Sequence, residues 1–349
     1  MRESLRVPTV GRLIALASPV VVTELGGITL STIDILVVSR LGPEAIGAVG
    51  IGNLVLIGIG GFGLGFLYCL DALVSQSFGG GKLVECHRWL AHGVFVSAAL
   101  TALLWAVARL MTALLPVWGL NPSVHHLVVS YLEIASWSYL PLLLYGTLRR
   151  YLQAMSVVVP TSVAMISATG IALLANWALV FGELGAPPLG TNGAAWAACI
   201  TRTYLFVFMS CVVVSHAWWR QTGLFQTPLQ IDGSRLRSMA RLGVPAGLQF
   251  ALEIGVFAAA AALAGRLDTA SSAAHQIVFN VSATVFVVTL GIAGAGAVLV
   301  GQSVGRRDAS AARRSGWTAL VLAASFMAVV AATFLLTPER ILGLFTNDP

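Results

Sequence analysis

The chain has 349 residues, 57% hydrophobic and only 10% charged, with a mean hydropathy of +0.87 and a formal net charge of +6. Soluble domains carry roughly 25% charged residues to keep their surfaces wet, so a water-soluble globule is excluded, as are a disordered chain, a collagen-like repeat and a disulfide scaffold. The positive balance does not point to nucleic acid, because the basic residues sit in short loops between apolar runs; the expected partner is the lipid bilayer.

A hydrocarbon core about 30 Å thick takes roughly 20 apolar residues of helix. Nine runs qualify, over about 13–38, 46–75, 90–115, 126–148, 157–181, 192–216, 240–264, 271–300 and 316–337. Long Ala, Val and Leu stretches broken by Gly favour helices over the alternating strands of a barrel. The first run carries Pro19, Glu24 and Asp34 and is too long and too acidic for a cleaved signal peptide. The second holds Gly58, Gly60, Gly61, Gly63 and Gly65, which inside a span predict close helix packing, not a dinucleotide loop. It ends at Gly79-Gly80-Gly81-Lys82, which lacks the spacing and the following Ser or Thr of a P-loop. Asp71 near that end, and Glu133 in the fourth run, lie close enough to span ends to reach the headgroups. The fifth run contains Asn176 and Trp177, the seventh Gln249, Glu253 and Phe257, and the eighth Gln276 and Asn280. Cys69, Cys86, Cys199 and Cys211 form no CxxC pair and read as buried apolar thiols, and His87 and His275 as ordinary hydrogen-bonding side chains.

Loop charge sets the orientation. With the N-terminus inside, the cytoplasmic loops hold Arg2, Arg6, Arg12, Lys82, Arg88, Arg149 and Arg150, then Arg220, Arg235, Arg237, Arg241, Arg306, Arg307, Arg313 and Arg314. The outer loops hold Arg40, Arg266 and Arg340, while Arg109 and Arg202 fall inside spans. This asymmetry predicts a multi-pass protein of the cytoplasmic (inner) membrane with a cytoplasmic N-terminus.

Sliding the sequence by 226 residues sets Pro19 on Pro245, Arg40-Leu41 on Arg266-Leu267, Leu64-Gly65 on Leu290-Gly291 and Arg88 on Arg314. The sharpest pairing is Leu73-Val74-Ser75-Gln76-Ser77-Phe78-Gly79 with Leu299-Val300-Gly301-Gln302-Ser303-Val304-Gly305. An even number of crossings separates the copies, so the repeat is parallel, about an axis along the membrane normal. The division predicted is a six-helix N-terminal lobe over 1–225 and an incomplete C-terminal lobe over 226–349. Continuing the offset leads to the expectation of three further helices, twelve in all, in a form of roughly 450 residues.

A carboxylate at mid-bilayer costs roughly 2.5–3.5 kcal/mol on the insertion scale, so each needs a partner, a proton or water. Asp34, Glu253 and Glu24 are the candidates for binding a coupling cation, with Gln249 one turn before Glu253 and Asn176 as further polar groups. Either a proton or sodium would suit, sodium at Glu253 in particular. Phe62, Phe66, Trp177 and Phe257 are the aromatic candidates to wall a cavity between the spans, with Gln276 and Asn280. No catalytic set such as HExxH appears, so no enzyme is expected.

In this order and spacing the residues resemble the multidrug and toxic compound extrusion (MATE) family. Pro19, then Asp34 and Ser39-Arg40-Leu41-Gly42, resemble the family's Pro…Asp…G-R-L-G pattern, with Ser39 in place of a glycine. Val74 to Gly81, Asn176 followed by Pro188 to Ala195, Glu253, and Ala274-His275-Gln276-Ile277 with Asn280 and Val300-Gly301-Gln302 are similar to its later signatures. The resemblance implies an all-α, two-lobe, cation-coupled antiporter that expels small organic cations or amphipathic drugs. It needs no cofactor beyond the coupling proton or sodium, and a monomer is expected. It also implies that Asp34, with Asn176 beside it, is the cation-linked aspartate, and Glu253 the glutamate of the second lobe. Val180 stands where some members carry a second aspartate after the span-five Asn, and the span-ten acid of other members is lacking. Alternatives are a lipid or oligosaccharide flippase of related architecture, whose cavity should be strongly basic, or a non-transporting fragment.

Overall fold

The computed structural model describes residues 10–118, 121–185, 187–227, 230–264 and 269–337. Their helices are α1 (Val10–Val38), α2 (Pro43–Phe66), α3 (Cys69–Gly79), α4 (Leu83–Leu114), α5 (Pro122–Ala135), α6 (Tyr139–Ala154), α7 (Val159–Phe181), α8 (Thr191–Arg220), α9 (Gly233–Ala264), α10 (Thr269–Gly305) and α11 (Ala309–Leu336). No strand occurs among them. α2 with α3, and α5 with α6, each make one crossing, so the described helices supply the nine spans read from hydropathy.

Two of these spans are interrupted, which hydropathy does not reveal. Between α2 and α3 the chain tightens: Tyr68 N–H bonds Gly65 O at 3.1 Å and Asp71 N–H bonds Tyr68 O at 3.1 Å, both three residues back. This extra twist turns Tyr68 and Asp71 toward the α6 side of the bundle. Between α5 and α6, Ser136 and Ser138 donate their hydroxyls to Glu133 O and Ala135 O, which stabilises a second tight turn without a glycine. Other ends follow local chemistry. Pro43 and Pro122 occupy first-turn positions, Asn121 Oδ1 accepts from Ser123 N–H, and Gly182 closes α7 with φ at +80°. Asp308 caps α11 through Ala311 N–H at 2.9 Å. The Ser310 hydroxyl holds the Asp308 carboxyl below its usual range, so this cap persists at neutral pH and is lost as pH falls through that lowered value.

α2 to α8, with the end of α1 and Met239 of α9, share one core centred on Tyr131, Tyr139, Leu70, Leu143, Leu152 and Met209, while Leu13, Leu16, Ala17 and Val20 of α1 form a second with Ile292, Ala295 and Leu299 of α10 and Ala319 of α11. The second half, α9 to α11, meets the first through α2 against α9, α1 against α10, and α3 against α10. At the 226-residue offset α1 corresponds to α9 and α2–α3 to α10, so the first two contacts are equivalents of each other and the third is its own equivalent. The atoms repeat this reciprocity. A Cβ on Gly79 would overlap the Gln302 backbone carbonyl, and a Cβ on Gly305 would overlap that of Gln76. Phe66 lies on Gly243, Phe62 on Gly247, and Gly65 lies against Ala246, while Gly291 receives Val21. Gly60, Gly61, Gly63 and Gly65 of the second run are therefore packing positions, whereas Gly58 faces open space.

Ser75 and Gly301 are partners at the same offset, and they meet each other: a Cβ on Gly301 would fall on the Ser75 hydroxyl. On a two-fold axis only one of two equivalent side chains fits, and Ser75, fully buried, takes the space. Gly301→Ser is expected to lower stability by about 1–3 kcal/mol through overpacking, and Ser75→Gly/Gly301→Ser to recover most of it. Thermal unfolding in detergent measures both; a Gly301→Ser protein as stable as the wild type would refute the axial contact.

Candidate functional site

Four charges meet where α1, α3 and α6 converge. Arg150 donates to Asp71 Oδ2 at 2.7 Å, and Arg149 forms a short ion pair with Glu24. Asp71 and Arg150 keep only 10% and 12% of their side-chain surface, so this pair is desolvated and its members depend on each other. The Arg150 guanidinium also sits 4.0 Å over the Tyr68 ring, adding a cation–π contact. Three sequence-based expectations change here. Arg149 and Arg150 belong to the buried part of α6, not to a cytoplasmic loop. Asp71 is buried against Arg150 instead of reaching the headgroups, because the tight turn at Tyr68 aims it inward. Glu24, expected as a cation-coupling carboxylate, has its charge met by Arg149. The signal available was charge balance: two adjacent arginines ending one apolar run, and two acids without counter-charges in others.

About 15 Å further along α1, at 1.5 Å per residue, α7 packs against α1 and a second polar site forms. Asn176, fully buried, donates Nδ2–H to Asp34 Oδ1 at 2.9 Å and to Ala172 O at 3.0 Å. Asn176 Oδ1 is buried without a hydrogen-bond partner. Asp34 itself is only half-buried. The pair thus combines a carboxylate reachable from outside the helix bundle with a fixed amide whose oxygen is uncommitted. Further polar side chains line the same half of the bundle: Tyr131 donates to Asn53 Oδ1 at 2.9 Å, Ser130 to Asn192 Oδ1 at 2.8 Å, and Arg202 to Ser138. Asn53, Tyr131 and Arg202 were not singled out by the sequence, since lone polar residues in apolar runs give no hint of which helices become neighbours.

Glu253 lies half-buried on α9 with no hydrogen bond or ion pair to another described residue, and Gln249 one turn earlier is exposed. No group of three or more His, Cys, Asp or Glu side chains suited to a metal ion occurs among the described residues. The proposed cavity walls also shift. Phe66 is buried against Gly243 and Phe62 packs on Gly247, because small residues on α9 let it close on α2; both belong to the seam between the halves. Trp177 and Phe257 are exposed, Phe257 with its ring 5.3 Å from that of Phe279. Asn280 is exposed, its backbone carbonyl accepting from the Thr284 hydroxyl, and the Gln276 side chain lies outside the described residues. A cavity of about 430 Å³ does exist, but elsewhere, between the Glu24–Asp71–Arg150 cluster and α10. His87 is an ordinary hydrogen-bonded core residue, as expected, between the Tyr151 hydroxyl at 2.8 Å and Thr222 O at 2.9 Å. Cys69, Cys86 and Cys199 are buried thiols, whereas Cys211 is exposed.

Comparison with known proteins places these features in a group. A family model described as MatE matches residues 19–178 and 245–349, two segments whose starts, Pro19 and Pro245, stand at the 226-residue offset. The chain is 30% identical over 337 residues to a "Probable multidrug resistance protein NorM" of Mesorhizobium japonicum, covering 96% of this chain and 72% of that protein. A protein of the same name from Rhodopseudomonas palustris is 33% identical over 333 residues, covering 95% and 70%. Among solved structures, the eukaryotic MATE transporter AtDTX14 superposes with a TM-score of 0.82 at 18% identity, covering 97% of this chain and 75% of that one. A MOP-superfamily transporter from Pyrococcus furiosus gives the same score and identity, covering 97% and 74%. At these identities the structures support the fold alone.

The buried pair generates a test. Arg150→Met leaves Asp71 charged and unpaired, with an expected loss of about 3–5 kcal/mol, and Asp71→Leu/Arg150→Met is expected to restore much of it. Unfolding midpoints of the two single variants and the double variant, compared as a cycle, decide this; purely additive losses would mean that the two side chains do not depend on each other.

Proposed function

Because the chain belongs to the MatE family, and so is a membrane transporter and not an enzyme, we propose that it is a cation-coupled antiporter exporting cationic or amphipathic drugs across the inner membrane. The names of its NorM relatives support multidrug efflux as the activity. The observation that carries the coupling site is Asp34 held by Asn176: an aspartate inside a span, half-buried, fixed by one amide bond and, among the described residues, in no salt bridge, with Arg202 acting on it from beyond ion-pair distance. Glu24 and Asp71 differ, since their charges are neutralised by Arg149 and Arg150 within the protein. A carboxylate outside an ion pair exchanges a proton or a sodium ion more readily than one that must first give up its arginine.

Glu253, which has no hydrogen bond or ion pair to another described residue, is the corresponding carboxylate of the second half, and in this reading residues 1–225 and 226–349 move as two lobes. The seam contacts at Gly61, Gly65, Gly79, Gly291 and Gly305 gather toward the membrane face from which α1 starts. We take that face as cytoplasmic, because Lys82, Arg220, Arg235, Arg306 and Arg313 remain on it after Arg149 and Arg150 are assigned to the bundle. The seam is then the closed side, and Asp34 lies toward the other.

Ethidium efflux from proteoliposomes under an imposed proton or sodium gradient tests this reading. Asp34→Asn is expected to reduce gradient-driven efflux at least tenfold with unchanged membrane insertion, and Glu253→Gln to do the same. Whichever gradient supports wild-type efflux identifies the coupling ion. Full efflux by both variants would remove the carboxylates from the mechanism.

A further inference from the structure

The glycine contacts of the seam come in reciprocal pairs, but one polar cluster between the halves occurs only once. Arg235, on the first turn of α9, donates to Glu85 Oε2 on α4 at 2.6 Å, and its guanidinium lies over the Trp89 ring, 5.1 Å from the centroid. Among the described residues this is the one salt bridge that joins the two halves. Trp89 Nε1–H bonds the Ser77 hydroxyl at 3.1 Å, which fixes the indole against which Arg235 lies. His92, one turn further along α4 and fully buried, donates Nδ1–H to Arg88 O at 2.7 Å. Its Nε2 is thereby left as the acceptor, and it takes the Asp232 backbone N–H at 2.9 Å. Asp232 in turn caps α9, accepting from Ser234 N–H at 2.9 Å and from the Ser234 hydroxyl at 2.8 Å. The bonds at Asp232 and Arg235 therefore grip a single turn of helix.

At the 226-residue offset Glu85, Trp89 and His92 fall on Ala311, Ser315 and Thr318, so the carboxylate, the indole and the imidazole have no counterparts in the second half. The chain that leads into α9 is also tied to the first half, because His87 Nε2–H donates to Thr222 O at 2.9 Å. When the halves part, Thr222 stays with α4, whereas Asp232 and Arg235 have to leave it. Release strands no charge: Glu85 keeps Arg88 at 2.8 Å, and Arg235 keeps Asp232 at 3.6 Å. The buried pair of Asp71 and Arg150 differs on this point, since each of those charges has lost its water and depends on the other. We propose that Glu85, Trp89 and His92 form a one-sided latch on the start of α9, which holds the halves together at this face and releases as a unit before they part. The latch rests on the two-lobe reading of the proposed function and adds to it the residues that bias the closed arrangement.

The test is the distance across this face between spin labels attached through Trp219→Cys at the end of α8 and Ala309→Cys at the start of α11, both exposed positions. It is read by pulsed electron paramagnetic resonance in nanodiscs, on a Cys211→Ser background in which the remaining native thiols, Cys69, Cys86 and Cys199, are buried. Gly79→Ala, whose Cβ falls on the Gln302 carbonyl, supplies the reference distance for a seam forced apart; Gly305→Ala, its reciprocal, replaces it should Gly79→Ala fail to fold. Glu85→Gln and Arg235→Gln are each expected to raise the population at that longer distance about threefold or more over the wild type, the effect of one partly exposed ion pair. The combined variant is expected to do no more than either single one, because both remove the same bond. A wild-type distribution in Glu85→Gln and Arg235→Gln, with the longer distance present in the seam variant, would overturn the latch and leave the two-lobe reading standing. Effects that multiply in the combined variant would overturn it too. A seam variant without the longer distance would overturn the movement of the lobes and the latch together.

Discussion

A charge carried inside a lipid-spanning helix has to be answered within bonding distance, and that requirement organises the first half of this protein. Glu24 on α1 and Asp71 on α3 are answered by Arg149 and Arg150, adjacent residues on α6, so one helix ties two others to itself. Lipid offers no competing partner, and removing one member would strand another. The tight turn at Tyr68 makes this possible, since an unbroken α2–α3 helix would not present Asp71 and the Tyr68 ring to Arg150 in this way. The fully paired cluster therefore acts as a fixed point of the bundle. By contrast Asp34 is held by the Asn176 amide and, among the described residues, enters no salt bridge.

The second constraint is closeness. Helices in lipid gain nothing from hiding apolar surface from water, so they associate through van der Waals contact, and glycine permits the shortest approach. The seam between the halves is built on that principle, with Gly79 on Gln302, Gly305 on Gln76, Gly65 on Ala246 and Gly291 on Val21. Gln302 adds a polar tie, donating to Ala154 O and the Ser156 hydroxyl at 2.9 Å each, and so joins the end of α10 to the end of α6. A seam of small residues with few polar ties is well packed when closed and loses little unsatisfied polarity when opened, the balance a moving interface needs.

Much of this was legible from residue order. The nine crossings followed from hydropathy, and the 226-residue repeat from Gln76-Ser77-x-Gly79 and Gln302-Ser303-x-Gly305, which turn out to face each other across the seam. Asn176 and Asp34 were expected together only through the family resemblance, and the structure brings them to 2.9 Å. The aromatic walls were less legible. Phe62 and Phe66 have the composition of a cargo cavity, yet glycines far along the chain on α9, Gly247 against Phe62 and Gly243 against Phe66, convert them into seam packing; nothing local to α2 carries that information.

Hydropathy and the internal offset depend on local chemistry, because lipid forces every span to satisfy its own backbone; residue order alone therefore determined the nine spans found among the described residues and the offset at which the two family-model segments begin. Which carboxylates are neutralised and which stay available depends on the partners that other helices bring. Glu24, Asp71 and Asp34 look alike as acids in apolar runs, and only the packing of α6 against α1 and α3, and of α7 against α1, separates the paired from the free.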